Sequence, residues 1–399
     1  MKYIVVLGDG MADYPIDELN EQTPLEYANT PMMDELAQKS EIGQVHTIPS
    51  GMSPGSDTAN LSVLGYDPKK YYTGRSPLEA LSIGVPMKDT DIAIRCNIVT
   101  VSDEETEYKD KKMIDHSAGE ISTEDADVLI QAVQEAFGNE MFHFYTGTSY
   151  RHLLIWDKGN VVELTPPHDI LTKTIGNYLP KEKLLAEMME KSYEILNNHP
   201  INVAREKAGL HKANSLWFWG AGTKPALDDF TEKTGKRGVM ISAVDLLKGI
   251  GVGAGLHNII VEGADGTLET NYEGKAQAAV DALTKDGYDF AYIHVEAPDE
   301  MGHQGSVERK IKSIEYLDQR VIRMVKEGMD ASGEDYRMLV LPDHPTPIVL
   351  RTHSSDPVPY MLFDSTNHGS RMWHYNEREA AASGIDMPSG AALMEYFLD

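Results

Sequence analysis

The sequence predicts an α/β protein built on a mainly parallel sheet flanked by helices, and three observations carry that expectation. Short apolar runs such as "YIVVLG", "YDFAYIHV" and "YRMLVLPDH" read as buried strands. Stretches with helical periodicity lie between them in alternation. Aspartates and histidines follow the ends of those runs, where ligands collect at the carboxyl edge of an open α/β sheet.

The elements follow in chain order. The run at 3–8 is apolar, β-branched and closed by glycine, as a first strand should be. In "TPMMDELAQKS" (30–40) a threonine at the cap position and a proline behind it start a helix. "PGSDTANLSVLG" (54–65) reads as a loop that becomes a helix, with Ser56 at the junction. "GIGVGAG" (249–255) follows a helical stretch and reads as its C-cap and turn. Towards the C-terminus come a helix at 270–287, a strand at 288–295, a long helix at 306–328, and strands at 336–344 and 357–364. The middle differs. "DIAIRCNIVTV" (91–101) alternates like a half-exposed strand, and "FHFYTGTSYRHLLIW" (142–156) gives two strands around a turn, which favours antiparallel pairing. Residues 91–211 are therefore expected to be an inserted, smaller α+β domain, with 1–90 and 212–399 forming one discontinuous domain.

Composition narrows the function. At 399 residues the chain exceeds one ordinary domain, which suits a main domain with an insertion. Its 36 Lys+Arg against 63 Asp+Glu give a net charge of −27, which argues against nucleic acid or an anionic membrane as partner. An acidic protein that handles an anionic substrate then needs local cations, from Arg and Lys or from metal. Cys96 is the only cysteine, so an intrachain disulfide is excluded. No apolar run approaches a membrane span, and "MKYIVVLGDG" lacks a small-residue cleavage site, so a cytoplasmic protein is expected.

The chemistry-bearing residues are Asp9 after the first strand, Asp299 and His303 in "APDEMGH", Asp343 and His344 in "PDH", and His353 in "RTHSSDP". Asp299 and His303 stand four apart, on one face of a helical turn. Each alone has a bland reading, because strand-end aspartates commonly serve turns. Their conjunction on one predicted sheet edge is harder to dismiss. Carboxylates mixed with imidazoles suit Mn²⁺ or Zn²⁺, with Mg²⁺ less comfortable. Two such ions can clamp the attacking and leaving oxygens of a phosphoryl transfer and activate a hydroxyl. Ser56 is then either a helix N-cap or the nucleophile, or both.

The set "GDGMAD", "PGSDTANLSVLGYDP", "YYTGRSPLEA", "APDEMGHQG", "PDHPTP" and "HSSDPVP" resembles, in order and through essentially the whole chain, the cofactor-independent phosphoglycerate mutases of archaeal type. That family belongs to the alkaline phosphatase superfamily, so the resemblance implies an alkaline-phosphatase-like fold, two divalent metal ions and a small phosphorylated metabolite as substrate. It implies that Asp9, Ser56, Asp343 and His344 hold one metal, with Ser56 the phosphorylated nucleophile, and that Asp299, His303 and His353 hold the other. The implied reaction is the interconversion of 3- and 2-phosphoglycerate in glycolysis and gluconeogenesis. One stretch departs. Where the family usually carries arginines in a segment like "DRRAGRI", this chain has "DHSAGEI": Asp115 matches, but His116, Ser117 and Glu120 replace cations. Guanidinium forks are the usual partners of phosphate and carboxylate, whereas Glu120 would favour an amine. A bacterial branch of the family proposed to act as homoserine kinase, in threonine biosynthesis, is therefore the alternative reading. No Walker-type or kinase glycine-rich loop accompanies it. Arg75, Arg95, Arg151 and Lys248 remain as cations that could bind phosphoryl groups. The oligomeric state is not legible.

Overall fold

In the computed structural model, which describes residues 1–367, 369 and 373–399, the chain divides into two compact units. Unit 1 comprises 1–72 and 226–399, and unit 2 comprises 73–225. In chain order the strands are β1 (Lys2–Gly8), β2 (Ser40–Val45), β3 (Asp91–Val101), β4 (Met113–Asp115), β5 (Phe142–Thr148), β6 (Arg151–Asp157) and β7 (Ser215–Thr223). There follow β8 (Gly238–Ile241), β9 (His257–Asn258), β10 (Phe290–Val295), β11 (Tyr336–Leu341), β12 (Val358–Asp364) and β13 (Asp386–Met387).

Unit 1 holds an eight-stranded sheet in the order β13-β2-β12-β11-β1-β10-β8-β9. Every pairing is parallel except the two made by β12, so β12 alone runs against the rest. The expected α/β architecture is therefore present. Both faces of the central strands are buried, which explains their continuous apolar runs. Ile4, Val6, Ala291, Ile293, Met338 and Val340 enter one core with Leu283 of the helix Tyr272–Thr284, Val325 of the helix Arg323–Ser332, and Leu317 of the turn that joins Val307–Tyr316 to Arg323–Ser332. The opposite face carries Tyr3 and Tyr292. It meets the helices Gly390–Leu398, through Phe397, and Ser56–Val63, through Asn60.

Unit 2 holds a five-stranded antiparallel sheet in which β3 pairs with β6, β7 and, at its end, β4, while β5 pairs with β6. Two expectations need correction here. Strand β3 is buried along its whole length rather than half-exposed. Its Cys96 and Ile98 face one core, and its Ala93 faces a smaller one with Ala80 and Leu153. The cover comes from the helix Arg75–Ser82, which belongs to unit 2, so the unit runs from 73 to 225 and is wider than the expected 91–211. Alternation alone could not reveal a helix contributed from outside the strand pattern. The glycine run at 249–255 also differs from expectation. It lies largely inside the helix Asp245–Gly253, and only Gly255 takes the left-handed conformation, with φ +73°.

Candidate metal centre and nucleophile

Strands β11, β1 and β10 are neighbours and parallel, so their carboxyl ends share one edge of the sheet. The chain just beyond those ends delivers Asp343 and His344, Asp9, and the helix Ala297–Gln304 with Asp299 and His303. Gly10 lets these loops close on one another. Its φ is +63°, and a Cβ there would stand 2.8 Å from Asp299 Cα and 2.4 Å from Thr346 Oγ1. The "GDG" motif is thus a steric requirement of the site.

All seven residues implied as ligands come together. Ser56 Oγ lies 3.1 Å from His344 Nε2 and 3.4 Å from Asp9 Oδ2. His344 Nε2 is 3.4 Å from both Asp9 Oδ1 and Asp343 Oδ2. Asp299 places Oδ2 3.2 Å from His303 Nε2 and Oδ1 3.2 Å from His353 Nε2. Two trios have ligand atoms within 4.8 Å of one another: Asp9, His294 and Asp343, and Asp299, His344 and His353. His344 therefore stands between the two groups rather than with Asp9 alone. Ser56 is the first residue of its helix and makes no capping bond, while the cap position belongs to Gly55. The expected cap role falls away, and the hydroxyl is left facing the carboxylates.

His294 joins this group from within a strand, outside the motifs that the sequence singles out. It sits in β10 with Nε2 2.9 Å from Asp9 Oδ2 and Nδ1 3.2 Å from the Ser242 hydroxyl. The available signal was a histidine interrupting an otherwise apolar strand two residues before Glu296. Asn60 supports the site from behind. Its amide donates to Asp343 Oδ2 at 3.0 Å and to the Ser56 carbonyl at 2.8 Å, and its oxygen accepts from the Tyr292 hydroxyl at 2.6 Å.

The electrostatics ask for cations. Burial, then the neighbouring Asp343 and Asp299, push the Asp9 carboxyl well above its ordinary range. Burial would also raise Asp299, but hydrogen bonds from His303 and His353 outweigh it and hold that carboxyl well below. Burial lowers His344, and lowers His294 to about 3, so both imidazoles are neutral and able to donate lone pairs. Three buried carboxylates beside the imidazoles of His294, His303, His344 and His353 form a donor set that fits divalent ions.

The residues expected to meet substrate lie mostly in unit 2. Glu79 pairs with both Arg75, at 3.0 Å, and the buried Arg95, whose guanidinium also lies 5.2 Å from the Trp219 ring centroid. Asp115 shapes a turn: it accepts from Ser117 N and Gly119 N and lies 2.7 Å from His211 Nδ1. Burial opposes this, yet the bonds lower its carboxyl to about 2. His116 packs edge-on against Tyr150 and His168, and Arg151 donates to the Tyr150 hydroxyl at 3.0 Å. Glu120 is exposed, with φ +53°. Lys248 lies in unit 1, 3.8 Å from Asp245.

A family profile described as 2,3-bisphosphoglycerate-independent phosphoglycerate mutase matches residues 37–202. The 2,3-bisphosphoglycerate-independent phosphoglycerate mutase of Methanosarcina barkeri is 47% identical over 389 residues, 96% of each chain. The chain belongs to this family of isomerases. A solved Pyrococcus horikoshii protein shares the fold with a TM-score of 0.80 and 32% identity, over 100% of this chain and 96% of that one. The cofactor-independent phosphoglycerate mutase of Thermoplasma acidophilum matches with a TM-score of 0.66 and 25% identity, over 100% and 99%. Among the described residues no helix is long and apolar enough to cross a membrane.

Proposed function

We propose that the chain interconverts 3- and 2-phosphoglycerate in the cytoplasm through a phosphorylated Ser56, with two divalent ions, Mn²⁺ in preference to Zn²⁺ or Mg²⁺. The observation that carries this reading is Ser56 Oγ at the first turn of a helix, 3.1 Å from His344 Nε2 and beside the Asp9 carboxylate. Asp9, Asp343, His344 and Ser56 Oγ would hold one ion, with His294 orienting Asp9; Asp299, His303 and His353 would hold the other. Bound there, the ions supply Lewis-acid stabilisation to the oxygens entering and leaving phosphorus.

Ser56 Oγ forms its bond to phosphorus as the bond to the C3 oxygen breaks, and that oxygen takes up a proton. The serine proton has an acceptor in reach in the Asp9 carboxylate, whose Oδ2 lies 3.4 Å from Ser56 Oγ. The first-turn amides and dipole of Ser56–Val63 favour the added negative charge. The C2 hydroxyl then displaces Ser56 Oγ from phosphorus, and the serine is reprotonated, so no water is consumed. The residues proposed for substrate recognition are Arg75, Arg95, Asp115, His116, Glu120 and Arg151, which belong to unit 2, and Lys248, which belongs to unit 1. The homoserine alternative rested on Glu120, and an exposed carboxylate distinguishes weakly between an ammonium and an anion.

The test is a panel on Mn²⁺-loaded protein, with phosphoglycerate isomerisation assayed beside ATP-dependent homoserine phosphorylation. Robust isomerisation is expected, lost by at least about a thousandfold in Ser56→Ala because the covalent route is removed. Near-normal turnover by that variant would overturn the phosphoserine, and turnover of homoserine alone would overturn the substrate.

A further inference from the structure

Lys310 has no role in the reaction derived above, yet it is fully buried. It sits on the helix Val307–Tyr316, which follows the helix bearing Asp299 and His303 after only Gly305 and Ser306. Its ammonium donates to Asp13 Oδ2 at 2.9 Å, to the Thr346 carbonyl at 3.0 Å and to the Ala12 carbonyl at 3.2 Å. All three ammonium protons are thus used. Ala12 and Asp13 lie in the loop that begins at Asp9. Thr346 lies two residues beyond His344, and its hydroxyl donates to Asp299 Oδ1 at 2.5 Å. Asp13 closes the circuit by accepting from Ile348 N at 3.1 Å and Tyr14 N at 2.7 Å.

One buried ammonium therefore ties together three of the segments that carry candidate ligands: the loop after β1, the loop after β11 and the Asp299 helix. A buried cation is costly unless fully partnered, so this lysine tolerates only the loop arrangement that satisfies it. An apolar side chain would fill the space without imposing that register.

We infer that Lys310, with Asp13, is a positioning residue that locks the loops after β1 and β11 against the Asp299 helix and thereby sets the affinity for divalent ions. The inference rests on the metal-dependent reading of the site. Lys310 touches neither substrate nor reacting atoms, so its removal should weaken ion binding more than it alters substrate recognition.

The experiment titrates Mn²⁺ into wild type, Lys310→Met and the double variant Asp13→Asn/Lys310→Met, with calorimetry and ion counting, and records the melting temperature of each apoprotein. Lys310→Met should bind Mn²⁺ at least about tenfold more weakly, as loss of a supporting partner typically does. At saturating Mn²⁺ its KM for phosphoglycerate should be unchanged. The double variant removes the stranded Asp13 charge, so its apoprotein stability should recover while its Mn²⁺ affinity stays low. Wild-type Mn²⁺ affinity in both variants would overturn the clamp, and so would recovery of affinity in the double variant, which would trace the defect to an unpaired charge. Should Lys310→Met fail to fold, the double variant decides. No Mn²⁺ bound by wild type would instead sink the metal reading itself.

Discussion

His294 shows how one side chain can stand within a candidate site and still escape a local reading. It occupies a position that strand pairing sets opposite Leu7, one residue from the end of β10, and its ring reaches across to the Asp9 carboxylate. Neighbouring strands in a parallel sheet need not be neighbours in sequence, and here the partners are 285 residues apart. With Nδ1 at the Ser242 hydroxyl and Nε2 at Asp9, the ring is fixed at both ends. The expected result of His294→Ala is a drop in Mn²⁺ affinity of about tenfold to a hundredfold, read by calorimetry, as for other groups that orient metal ligands. Unchanged affinity would reduce His294 to a packing residue. By contrast, Asp9, Asp299, His303, Asp343, His344 and His353 were legible, because each follows a strand that its own apolar run announces. Ser56 is legible as a junction residue but not as a non-capping one, since the adjacent Gly55 occupies the cap position in the structure.

One helix start in this protein is settled by a distant residue. The helix Pro31–Ala37 begins with Thr30 and Pro31 as expected, yet Thr30 makes no side-chain cap bond. The orphan amides of Met32 and Met33 go instead to the Asp318 carboxylate, at 3.2 and 2.6 Å. Asp318 lies in a π-helical turn, Leu317–Ile322, that interrupts the long helix expected over 306–328. The helix Glu377–Ala382 offers a pH-dependent counterpart. Its half-buried first residue, Glu377, accepts from Asp13 N at 3.1 Å and from the Thr23 hydroxyl at 2.7 Å. Burial raises its carboxyl from 4.5 to about 7. A carboxyl raised on folding is protonated longer in the native state than in the unfolded one. Its contribution is therefore fully present below pH 4.5 and is lost as pH rises through about 7. The loss amounts to roughly 3 kcal/mol by linkage. Urea unfolding from pH 4.5 to 7.5 should show this decline, and Glu377→Gln should flatten it; equal slopes in the two proteins would exclude Glu377 as the source.

Two units with separate cores predict separable behaviour. Unit 2 enters and leaves at one place, since the Thr73 hydroxyl donates to the Thr223 carbonyl at 2.8 Å. It also has its own core, around Ile94, Leu154 and Trp217. Residues 73–225 expressed alone should therefore melt cooperatively, and should bind no Mn²⁺, because every candidate ligand lies in unit 1. A non-cooperative melt would show that the unit depends on the rest of the chain. In the full chain, chelating the ions should remove up to about 4 kcal/mol of stabilisation for each ion at a free metal concentration a thousandfold above its Kd. That loss belongs to the unfolding of unit 1, and scanning calorimetry with and without chelator should leave the unit 2 transition where it was.

Local composition and order were enough to establish an α/β chain with an antiparallel insert, a metal-type donor set at strand ends and a serine at a helix start. These properties are written in periodicity and in which residue follows an apolar run, and both are local. The order β11-β1-β10 that turns strand ends into one site, the cover over β3, the cap from Asp318 and the grip of Lys310 on Ala12 and Thr346 came from folding alone. Each joins groups distant in sequence through a packed interior, where burial and hydrogen-bond satisfaction, rather than neighbouring residues, select the partner.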